Sequence, residues 1–65
     1  MNFIIVITHT TDVGVAVTFY FTLQGLTADR DLAATFQDRS LAQGVADRYN
    51  SSYKTLRAHV EELNP

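Results

Sequence analysis

A chain of 65 residues with a net charge of -2, an apolar fraction of 46% and no cysteine is one small domain, numbered 1–65, with too much apolar content to be disordered. The missing cysteines exclude a disulfide-stapled miniprotein. The five Lys and Arg residues are scattered, which argues against a nucleic-acid partner because phosphate binding needs a concentrated basic face. At this length folding buries only about 60% of the surface the unfolded chain exposes. Such chains usually lean on a disulfide, a metal or a second subunit.

The opening residues Met1 to Ile7 hold an apolar run from Phe3 to Ile7. A secretory segment needs roughly 7 to 15 apolar residues after a basic start, and a membrane span needs about 20. The run fits neither, so the expectation is a soluble protein without a membrane partner, placed by default in the cytoplasm. Phe3 to Thr10 is rich in β-branched and aromatic residues and reads as a strand. Both faces are apolar, with Phe3, Ile5 and Ile7 on one side and Ile4 and Val6 on the other, the pattern of a strand covered twice.

Val13 to Leu23 alternates cleanly, with Val13, Val15, Val17, Phe19, Phe21 and Leu23 on one face and Gly14, Ala16, Thr18, Tyr20 and Thr22 on the other. Period two over this length predicts a second strand. The polar link Thr10-Thr11-Asp12 closes the two as an antiparallel hairpin, with Asp12 as the turn residue. After Gln24-Gly25 the pattern is ambiguous. Thr27 could cap a short helix through Ala34, or Leu32, Ala34 and Phe36 could alternate as a third strand; the strand is favoured because a two-stranded sheet is marginal alone.

From Ser40 to Asn64, Leu41, Val45, Tyr49, Tyr53, Leu56, Val60 and Leu63 recur at spacings of three and four, which predicts one amphipathic helix. Ser40 and Gln43 form a plausible capping box, and Pro65 suits a helical stop. A helix over residues 41–63 would be about 34 Å long, enough to lie along the hairpin. The fold class is therefore α+β: an antiparallel hairpin or three-stranded meander packed on one long C-terminal helix.

The residues offer little chemistry. His9 with Asp12, and His59 with Glu62 on the expected helix, are each three apart, so two pairs could converge on a metal, but zinc needs three or four ligands in fixed geometry. A surface turn histidine and a helix-edge histidine are the simpler reading, so no cofactor and no metal site is expected. No nucleophile motif is present, and three isolated glycines make no phosphate cradle. Asp29 with Asp31 and Glu61 with Glu62 read as solvated carboxylates near helix ends. An enzyme is thus the less favoured class.

Surplus surface is the stronger signal. One helix covers one sheet face, which would leave Ile4, Val6, Ala16 and Tyr20 on the other as an apolar patch of the kind that marks contact sites. The first strand, free of Lys and Pro over residues 3–8, would lack the usual protection of a sheet edge. On the back of the expected helix, Gly44, Ser51 and Ala58 recur at sevens, a row of small residues that would let another helix approach. The expectation is a non-catalytic interaction module, a homodimer that binds and inhibits or adapts another protein. The alternative is an oligomeric small-molecule binder or enzyme whose pocket forms between subunits from Tyr20, His9 or His59.

Overall fold

The structure is a computed structural model that describes residues 1–63; the expected helical stop at Asn64 and Pro65 lies outside the described residues. Strand β1 is Asn2–Thr10 and β2 is Ala16–Thr22, followed by a short β3, Gly25–Thr27. A single 3-10 turn, Arg30–Leu32, leads to helix α1, Arg39–Ser52, and the described chain ends in β4, Leu56–Leu63. Among these residues the fold is α+β, one four-stranded antiparallel sheet of order β3-β2-β1-β4 with one helix. No helix among them is long and apolar enough to cross a membrane.

The hairpin forms as its alternation predicts. Its turn is Asp12-Val13-Gly14: Gly14 has φ +84 and donates its N–H to the Thr11 carbonyl, while Thr11 donates to the carbonyl of Val15. Glycine suits that left-handed position, which carries the extra loop residue of a three-residue hairpin. The Thr11 hydroxyl also accepts the Val15 N–H, so it is Thr11 whose side chain ties the turn. β2 accordingly begins at Ala16, three residues later than Val13.

The largest correction concerns the long helix. Residues 39–52 are helical, but residues 56–63 form β4, antiparallel to β1. Leu56 and Val60 fit the helical stripe, but with Ala58 between them they are also two apart, and only the strand period puts all three on the sheet face that meets α1. Pairing with β1 decides between the two periods, because it satisfies the backbone of both strands. The reversal occupies Tyr53 to Thr55, where Tyr53 caps the helix and donates its N–H to the Tyr49 carbonyl. At the other end the cap is Asp38, whose carboxylate accepts the Ser40 N–H. The expected Ser40–Gln43 box is absent, and the Gln43 amide donates instead to Asp47.

The ambiguous stretch resolves into parts of both readings. Asp29 caps the 3-10 turn by accepting the Asp31 N–H. Phe36 then exchanges two backbone hydrogen bonds with Phe3, and Ala34 donates to the Phe21 carbonyl. The β1–β2 ladder stops at Val6↔Tyr20, so residues 34–36 enter where the two strands diverge and satisfy backbone groups that neither could pair.

The core lies between sheet and helix. Phe3, Ile5 and Ile7 pack with Ala42 and Ala46, and Phe19, Phe21, Phe36, Val45, Tyr49, Leu56, Ala58 and Val60 close around them. Two alanines at the contact let the helix axis come close to the strands. At 14 residues, α1 is about 21 Å long, and it lies over β1 and β4. The outer, turn-proximal part of β2 is therefore left uncovered.

Candidate protein interface

Residues expected to be surplus are used within the chain. Ile4 is 1% and Val6 5% exposed, although α1 packs on the opposite face, against Phe3, Ile5 and Ile7. Across β1 from one another on that face stand Tyr20 of β2, opposite Val6, and His59 and Glu61 of β4, opposite Val6 and Ile4. Arg30, from the 3-10 turn, sets its guanidinium 5.8 Å from the Tyr20 ring centroid and donates to the Glu61 carboxylate at 3.1 Å. Its side chain therefore crosses above β1, and this polar bridge roofs Ile4 and Val6. The stem of an arginine can cover apolar surface while its charged head stays wet.

The same bridge carries the clearest electrostatic signal. His59 Nε2 lies 3.1 Å from the other Glu61 oxygen. That hydrogen bond is the largest influence on the Glu61 carboxyl; it outweighs the opposing desolvation and, with the smaller help of Arg30, holds the group below its ordinary range. The expected His59–Glu62 pairing fails because residues three apart on a strand face opposite ways. Tyr20 and His59, two of the three residues of the small-molecule alternative, share this face. His9 does not: it points to the helix side, opposite Val17 and Leu56, with a buried Nδ1 that has no partner among the described residues. His9 and His59 thus lie on opposite faces, and no three His, Asp or Glu side chains among the described residues gather as a metal site.

The other expected contact residues separate. β1 is central in the sheet, so its lack of Lys and Pro leaves no edge unprotected. Gly44 and Ser51 are exposed on α1, but Ala58 lies on β4 and is partly buried against the helix, which breaks the row at sevens. Ala16 is exposed on β2, whereas Tyr20 is half-buried under Arg30.

Two stretches of edge remain, β4 on one side of the sheet and the part of β2 beyond the short β3 on the other, and their chemistry differs. On β4 the Asn50 carboxamide meets the backbone of Ala58 twice: its Oδ1 accepts the Ala58 N–H at 2.8 Å and its Nδ2 donates to the Ala58 carbonyl at 3.0 Å. Asn50 therefore fills the place a neighbouring strand would take. Arg57, Glu61 and Glu62 add charge along the same strand, a usual defence against edge pairing.

On β2 the shielding is incomplete. β3 pairs only with Tyr20, Phe21 and Thr22. The Thr11–Val15 bond faces β1, so by the antiparallel alternation Val17 and Phe19 also bond inward, and the N–H and C=O of Ala16 and Thr18 point out of the sheet. Beside these groups, on the helix side, Val15 is 54% and Val17 36% exposed, and Val13 in the turn is 84% exposed. No charged residue occurs from Val13 to Leu23. The signal that could have located this surface in the sequence is that absence of charge, since the alternation alone directs all the valines inward.

Comparison with protein-family models, with curated proteins and with solved structures gives no match to this chain.

Proposed function

We propose that this chain is a small protein-interaction module that works by offering the outer edge of β2 and its valine row to another polypeptide. One observation carries the reading: the uncharged stretch from Val13 to Leu23 leaves Val15 and Val17 exposed beside backbone groups of Ala16 and Thr18 that have no strand to pair with among the described residues. Exposed apolar side chains next to an open edge supply both halves of strand addition, main-chain hydrogen bonds for affinity and side-chain contacts for selectivity. A photo-crosslinking residue at Val15 in the native cell should yield discrete protein adducts, while the same group at Arg48, on the exposed side of α1, should yield none. Equal, diffuse labelling at both positions would contradict the reading.

A second reading has one observation behind it, the His59 imidazole oriented by Glu61 on the face that also carries Tyr20. A histidine held by a carboxylate is a common arrangement for proton transfer or ligand contact. This reading requires a ligand that raises the melting temperature of the wild type and fails to do so for His59→Gln.

A further inference from the structure

The occupant of the β2 edge can be narrowed by asking which strand completes it without creating another open edge. We infer that a second copy of this chain pairs there, β2 against β2 in antiparallel register about a two-fold axis near Val17, joining two four-stranded sheets into one continuous sheet. This inference rests on the interaction-module reading above and adds its partner.

Three observations favour a like strand. The first is charge: the chain is net acidic, yet Val13 to Leu23 carries none of its seven Asp and Glu residues, so self-pairing sets no like charges opposite each other. The second is closure. Asn50 already occupies the backbone of β4 at Ala58 and charges line the same strand, so head-to-tail addition of β2 to a neighbour's β4 is obstructed at Ala58 and disfavoured beside it, and the self-complementary arrangement that uses the open part of β2 in both copies is the isologous pair. The third is the pattern of free groups. With Ala16 and Thr18 directed outward, a two-fold at Val17 places Ala16 opposite the partner's Thr18 and Thr18 opposite the partner's Ala16, giving about four new backbone hydrogen bonds. The two Val17 side chains then meet on one face, with Val15 and Phe19 beside them. A second subunit is also one of the few reinforcements open to a cysteine-free domain of this size.

The register makes a chemical prediction. Residues facing each other at a position without direct backbone bonds stand with their Cα atoms about 4.5 Å apart, within the roughly 4.4–6.8 Å that a disulfide spans. Because the chain has no cysteine, Val17→Cys supplies one thiol per copy and its oxidation reports that single contact.

Sedimentation equilibrium of the full chain from about 1 to 100 µM, a range that captures weak specific association, should show the mass rising from one to two copies of the 7.3 kDa chain. Val17→Lys, which sets two ammonium groups across the axis, should remain a monomer with an unchanged circular dichroism spectrum, whereas Glu62→Lys on β4 should associate as the wild type does. Should Val17→Lys fail to fold, the milder Val17→Cys carries the test: mild oxidation should convert it to a covalent dimer, and Glu62→Cys should stay reduced under the same conditions. A single-chain mass throughout, or faster crosslinking through Glu62→Cys than through Val17→Cys, would overturn the pairing. If the wild type is a monomer and Val15 still crosslinks to a different protein in cells, the second copy is wrong and the module reading stands; if neither is seen, both fall.

Discussion

The two sides of this sheet, β4 on one and the part of β2 that β3 leaves unpaired on the other, solve the same problem in different ways. β4 is clamped from within the chain at Ala58, whose backbone the Asn50 carboxamide meets, and it carries the charges of Arg57, Glu61 and Glu62. β2 is paired with β3 over its last residues and, among the described residues, carries neither charge nor a side-chain clamp on the rest. In a domain this small a single helix cannot cover a whole sheet. Where it does not reach, a strand must be shielded by a polar substitute or left for a partner, and one edge of this molecule shows each outcome.

The comparison breaks most visibly if α1 is pushed off β4. Ala42 and Ala46 are fully buried where the helix meets the sheet, so Ala46→Leu forces side chains into a filled space and is expected to destabilise by about 1–3 kcal/mol. Denaturant unfolding measures it, and the loss should be accompanied by faster exchange of the Ala58 amide, since Asn50 moves with the helix. Asn50→Ala acts on the clamp alone. It leaves an N–H and a carbonyl of a partly buried strand residue without their partners and should cost about 1–2 kcal/mol. A wild-type midpoint for Asn50→Ala would mean that water replaces the carboxamide freely.

These contrasts bear on what the chain's own pattern reveals. The alternation of β1 and β2 is legible, because strands with strict period two have few competing readings, and so is the first half of α1. The second half misleads: Tyr53, Leu56, Val60 and Leu63 satisfy a helical stripe while Leu56, Ala58 and Val60 satisfy a strand, and no Gly or Pro marks the reversal at Lys54-Thr55. Only a long-range fact, that β1 has a second side to pair, decides it. The roof over Ile4 and Val6 was illegible for a related reason. It is built by Arg30, Tyr20 and Glu61, far apart in sequence and each polar, so hydrophobic patterning gives no hint that they converge. The interface residues shift accordingly, from Ile4 and Val6 to Val15 and Val17.

Smaller effects sharpen the account. Gly44 lies within α1 with a backbone open to any residue, and a Cβ built on it meets nothing within 4 Å. Gly44→Ala should therefore stabilise the fold by about 0.5–1 kcal/mol and leave association unchanged, whereas weakened association would bring the helix back as a contact surface. Glu61 gives a pH dependence of known sign. Its folded-state pKa is lowered from the ordinary 4.5, chiefly by the His59 hydrogen bond and then by Arg30. The stabilisation is thus complete above the unfolded-state value and is lost as pH falls through the folded-state value. With its side chain 39% exposed, the effect should stay below about 1 kcal/mol, and Glu61→Gln should flatten the acid limb of a thermal-melting series. Last, Val17→Thr, at a surface position of a strand, should change folding stability by no more than about 0.5 kcal/mol while weakening association in sedimentation.

Residue-resolved amide exchange, followed across a concentration series, tests the contrast of edges most directly. The Ala58 amide should exchange slowly at every concentration, and the amides of Ala16 and Thr18 should exchange fast when dilute and slowly when concentrated. Slow exchange at Ala16 and Thr18 in the most dilute sample, or fast exchange at Ala58 throughout, would contradict an open β2 beside a closed β4.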